Sequence, residues 1–207
     1  MSSCTVTGNQ STGTNTAAGG INGGNSTFTL TDSTVSENIG GGVAAGGATT
    51  ISNTTIASNQ SSMWGGGLYS GGNVTVINST IVGNRAMNVD SQGGGIVNYG
   101  SLTVTDSLIS ANSAAFGAGI FTAGNLAMSG TSLLNNVASN TGGGLYNNIG
   151  GVIGVPVSVT HCVISGNSSS ILRCTRAARN ANASSNRSTC GSSHLFGSSI
   201  NRPATFG

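Results

Sequence analysis

Gly93 to Asn112 reads GGGIVNYGSLTVTDSLISAN, and Gly65 to Asn84 reads GGGLYSGGNVTVINSTIVGN. The two stretches share one order: glycines and a hydrophobe, an alternating segment, then an aliphatic residue three places before an asparagine. A unit that returns at a fixed period of 20 to 30 residues is the mark of stacked repeats, each unable to bury its apolar side alone.

Outward from these copies, the closing asparagine recurs at Asn9, Asn38, Asn59, Asn84, Asn112, Asn136 and Asn167, in steps of 21 to 31 residues. Three positions before each stands Val6, Val35, Ile56, Ile81, Ile109, Leu133 or Ile164. The glycine landmark recurs as Gly40-Gly41-Gly42-Val43, Gly117-Ala118-Gly119-Ile120 and Gly142-Gly143-Gly144-Leu145. Between the landmarks, Leu102-Thr103-Val104-Thr105 and Val157-Ser158-Val159-Thr160 alternate with a period of two, the signature of a half-buried strand. No segment carries a convincing helical period.

Each unit therefore holds about three short strands turned by Gly, Asn and Ser, of which glycine accepts positive φ and asparagine tolerates it better than most residues. The variable length falls between the asparagine and the next glycines, where loops on one side are expected. The layout is a single-stranded parallel β-helix, all-β, of about six to seven coils. Stacked at about 4.8 Å, they make a rod about 30 Å long with equivalent residues above one another.

The pattern GGG[I/L], LTVT, ST[I/V]xxN resembles the right-handed, pectin-lyase-like β-helix repeats of bacterial surface and secreted proteins, including polymorphic outer-membrane proteins and autotransporter passengers. The polymorphic proteins carry GGA[I/L/V] and FxxN; here GGG or GAG and Val, Ile or Leu stand instead, so the resemblance is to the architecture. It covers about residues 1 to 170 and implies a secreted or cell-surface location, with glycans or host and cell-surface components as partners.

The remaining residues, 171 to 207, differ in character. All four acids, Asp32, Glu37, Asp90 and Asp106, precede them, while Arg173, Arg176, Arg179, Arg187 and Arg202 fall within them. They read as a basic, low-complexity, irregular tail, and nucleic acid is not expected as a partner because no aromatic residues interleave with the arginines. Met1 to Asn9 aligns with the second half of a repeat, so the chain reads as a fragment that starts in mid-coil, without a signal peptide. No run of 18 apolar residues marks a transmembrane helix.

Chemistry is sparse. Asp32 and Asp106 share a column three coils apart, about 14 Å, too far for a glycosidase pair. Glu37 and Asp90 have no acidic companion, His161 lies two coils beyond Asp106, and His194 is in the tail. Cys4 and Cys162 share a column six coils apart, too far to bond, whereas Cys174 and Cys190 are free to pair. Hence no catalysis, cofactor or metal is expected, and the chain reads as a structural or adhesin-like scaffold. The alternative is a carbohydrate-binding or polysaccharide-degrading β-helix fragment whose catalytic residues lie elsewhere.

Three columns remain as candidates. Asn38, Asn59, Asn84, Asn112, Asn136 and Asn167 are expected to stack as a structural amide ladder. Thr29, Thr50, Thr75 and Thr103, beside Thr31, Ser52, Ile77 and Thr105, form ranks that resemble the ice-binding faces of some antifreeze proteins, a minor alternative. Tyr69, Val97, Phe121 and Tyr146 align on consecutive coils, where Tyr69, Phe121 and Tyr146 make a possible sugar-binding face.

Overall fold

A computed structural model of the chain describes residues 1–11, 18–148 and 155–170. Four parallel sheets run along one solenoid. The glycine sheet has six strands, Ile21–Asn22, Val43–Ala45, Leu68–Ser70, Ile96–Asn98, Ile120–Thr122 and Leu145–Asn147. The alternating segments build a second sheet of six, from Phe28–Thr31 to Val157–Thr160. The segments before the asparagines build a third of seven, from Thr5–Thr7 to Val163–Ser165.

The fourth sheet corrects the expectation of three strands and a loop. Directly after the asparagines lie Gln60–Ser61, Arg85–Ala86, Ser113–Phe116, Val137–Thr141 and Ser168–Ser169, paired in parallel. Three of these strands hold two residues each, too few to display alternation, and Ser113–Phe116 buries two adjacent residues. Their inward residues are small, with Ala86, Ala114 and Ala138 clustered under them, so no large β-branched residue announces them. The coil number is also corrected: Val43 to Ser169 makes five full four-stranded turns, preceded by incomplete ones. The tail from residue 171, with its arginines, Cys174, Cys190 and His194, lies outside the described residues, so the domain boundary expected there does too.

Register keeps the columns of the first three sheets straight, whereas the fourth shifts register between Ala114 and Phe116. Thr50, Thr75 and Thr103 pair in sequence, as do Ile56, Ile81 and Ile109. Alternation then sends one set of side chains inward. Leu30, Ile51, Val76, Val104 and Met128 form one interior stack, and Val35, Ile56, Ile81, Ile109 and Leu133 face it from the third sheet, all essentially inaccessible. The aliphatic interior supplies the main driving force, since apolar burial contributes roughly 25 cal/mol per Å².

The corner between the second and third sheets needs two residues, the first with φ near +50°. Asp32, Asn53, Asn78, Asp106 and His161 occupy it at φ 48°, 49°, 47°, 48° and 52°, and Gly130 fills the same place at 59°. Asn and Asp tolerate that region better than other side-chain-bearing residues, which explains the column. Following it, Ser33, Thr54, Ser79, Ser107 and Thr131 are buried. The Ser79 hydroxyl donates to the Ile77 carbonyl in its own coil and accepts the Thr54 N–H from the coil before, a pattern repeated by Ser107.

The asparagines close each turn from inside. Asn84 Nδ2 donates to Asn112 Oδ1 at 3.1 Å and to the Ile56 carbonyl at 2.9 Å, and its N–H also reaches Asn112 Oδ1. Asn59, Asn112 and Asn136 repeat the three bonds, each completely buried. The third glycine of each landmark belongs to this contact. A Cβ on Gly95 would stand 2.9 Å from Asn112 Nδ2 and 2.6 Å from the Gly119 carbonyl oxygen. The two landmarks of the repeat thus meet in space.

Two variants follow. Asn112→Ala strips partners from the buried Asn84 amide and the Ile81 carbonyl, and unfolding in urea should show a loss of about 3 kcal/mol or more. Thr49 is buried with its hydroxyl oxygen unpartnered. Thr49→Val removes that buried group at nearly constant shape and should raise stability by about 1 kcal/mol in the same measurement.

Candidate functional site

The stacked columns separate the acids. Asp32 and Asp106 sit in the positive-φ column with Asn53 and Asn78 between them, and the Asn53 amide donates to the Asp32 carboxylate at 3.1 Å. Asn78 in turn donates to Asn53 Oδ1 at 2.7 Å. Glu37, also at positive φ, precedes the buried Asn38, and Asp90 lies in the loop beyond Ala86. Among the described residues no three His, Cys, Asp or Glu side chains converge as a metal site. Cys4 and Cys162 are free thiols at opposite ends of the buried hydroxyl column.

The threonine ranks lie on the outer surface of the second sheet. Thr29 and Thr103 are exposed, while Thr31 and Thr105 are half-buried, and all four lie in parallel register. Ala127 follows Thr103 in one rank, and Ile77 interrupts the other. The arrangement is polar but chemically uneven.

A more concentrated feature lies where the fourth sheet turns into the glycine sheet. Tyr69, Val97, Phe121 and Tyr146 align on consecutive strands. Phe121 is only 2% exposed, so it forms a floor instead of a free surface. Tyr99 covers the gap left by Val97. Its ring centroid lies 6.0 Å from that of Tyr69 and 6.1 Å from that of Phe121, and Phe121 lies 5.6 Å from Tyr146. These tilted contacts fall within the favourable range for aromatic pairs.

A second column runs beside the first. Trp64, Gln92 and Phe116 bridge in parallel on successive coils. The Phe116 ring lies 5.8 Å from Tyr146, and the Tyr99 hydroxyl donates a hydrogen bond to Gln92 Oε1. The chain reaches this edge through tight backbone: Gly65 has φ 56°, and a Cβ there would stand 2.7 Å from the Leu68 carbonyl oxygen. Trp64 is consequently placed directly before a turn that folds over the glycine sheet.

Periodicity points to Tyr69, Phe121 and Tyr146 but passes over Trp64, Gln92 and Tyr99. Tyr99 occupies the position after the strand that Gly71 and Ala123 hold in the neighbouring coils, as their shared backbone bonding shows. An aromatic residue in a small-residue column was the available signal. For Trp64 and Gln92 the signal was weaker, because insertions of different length precede them.

A family model described as a right-handed beta helix region matches residues 19–188. Comparison with curated proteins and with solved structures returns no match.

The edge has a consequence in alkali. Burial, and secondarily the charge of Tyr69, raises the Tyr99 phenol above its ordinary pKa of 10.0. The folded state therefore favours neutral Tyr99, and the associated stability is present below pH about 10 and is lost as pH rises through the folded value. Tyr99→Phe should flatten the decline in melting temperature above pH about 10.

Proposed function

The chain belongs to the right-handed β-helix region family, and on that premise we propose that it serves as a non-catalytic scaffold of a secreted or cell-surface protein. The distribution of acids carries this reading. Asp32 and Asp106 are separated by two asparagine coils, and Glu37 and Asp90 occupy other columns, so the stacking that aligns the repeats keeps the carboxylates from pairing. Retaining or inverting glycoside hydrolysis needs two carboxyl groups within about 5 to 9.5 Å.

The polar residues in this fold instead serve the backbone. Buried Asn59, Asn84, Asn112, Ser107 and Thr131 are engaged in coil-to-coil bonds, which makes a stiff rod whose outer columns are free to vary. An adhesin-like or stalk role uses those properties: length set by coil number and a surface set by exposed columns.

The test is incubation of the full chain with polygalacturonate, alginate, xylan and cellulose, monitoring reducing ends and unsaturated products. No product above a heat-denatured control is expected. Turnover of any one of them that is lost on Asp106→Asn would overturn the reading.

A further inference from the structure

The glycine sheet and the edge it shares with the fourth sheet gather the only tryptophan and all three tyrosines of the chain, Tyr99 reaching back over the sheet from the far end of its strand. Their contacts explain part of this concentration, since Tyr69 packs on Tyr99, and Tyr99 and Tyr146 both pack on Phe121. They do not explain its exposure. Trp64 is 37% exposed and Tyr99 41%, although the columns beneath them are sealed. In a short loop of the same corner, Val89 is 86% exposed.

We propose that this edge is a binding site for a neutral oligosaccharide laid along the solenoid axis. A pyranose ring with equatorial hydroxyls presents an apolar C–H face that rests on aromatic side chains, while its rim requires hydrogen-bonding partners. Both halves are present. Trp64 and Phe116 lie in one column with the Gln92 amide between them, and the Tyr99 hydroxyl joins that amide from the adjacent column. Largely apolar aromatic walls with a few placed polar groups are the general composition of small-ligand sites.

Charge and dimensions narrow the ligand. Arg85 and Asp90, of opposite sign, are the ionisable chain-borne charges of the described residues in this corner, whereas Asp32, Glu37 and Asp106 belong to the corner between the second and third sheets or the end of the third. No accumulated charge favours a polyanion. From the coil of Trp64 to that of Tyr146 is three coil steps, about 14 Å, which suits several linked sugar rings in an extended chain.

Trp64 is the sole tryptophan, so intrinsic tryptophan fluorescence reports this edge alone. Cellohexaose, xylohexaose and maltohexaose titrated into the full chain should include at least one that shifts the emission saturably, with tighter binding for the hexamer than for its dimer. In calorimetric titration, Trp64→Ala and Tyr99→Ala should each weaken that binding about tenfold with an unchanged far-ultraviolet spectrum. Trp64→Phe should retain most of it, which separates ring contact from misfolding. Absence of binding by all three hexamers at millimolar concentration would sink the proposal, as would binding indifferent to both alanine variants. A response to neutral phosphatidylcholine vesicles but to no sugar would assign the edge to a lipid surface and equally overturn it. None of these outcomes touches the scaffold reading, which turns on product release.

Discussion

Each asparagine from Asn38 to Asn136 directs its side-chain amide to the next coil's asparagine and to a carbonyl of the preceding coil, while its side-chain oxygen accepts from the coil before. Three coils are joined by one buried group. Such a group tolerates no substitute of equal size, because aspartate cannot donate and leucine cannot accept. The third glycine of each landmark is bound to the same requirement, since the carboxamide and the next coil's backbone occupy the volume a Cβ would take.

Everything regular in the rod follows from holding that register. Once asparagine stands above asparagine, the aliphatic residue three places earlier stacks on its equivalents, and the alternating strand delivers a second aliphatic column opposite. Among the described residues the interior is then filled without helices. The same register disperses rare residues: a side chain that occurs only once every few repeats finds no copy of itself nearby. Four acids distributed over such a lattice remain apart, and aromatic residues come together only where two columns run side by side.

The repeat landmarks, the alternating strand and the amide column were legible in the sequence because each recurs in every coil at a fixed place. The fourth sheet was not, since two residues such as Gln60–Ser61 or Arg85–Ala86 show no periodicity and bury only small side chains. Tyr69 and Tyr146 could be aligned by counting from the glycines. Their depth could not: Phe121 belongs to the same column yet is closed over, because Tyr99 and Tyr146 lie against it.

The sequence by itself determined the architecture, because period-two strands, positive-φ corners and a recurrent buried amide admit one stacking solution, whose strands must pair in parallel and in register. Tertiary structure alone decided the edge on which Trp64, Gln92 and Tyr99 meet. Those residues lie at different offsets in different coils, separated by insertions of unequal length, and only the closing of each turn over the glycine sheet brings the two columns within contact of one another. A periodic signal is additive along the chain, and a contact between unlike columns has no period to read.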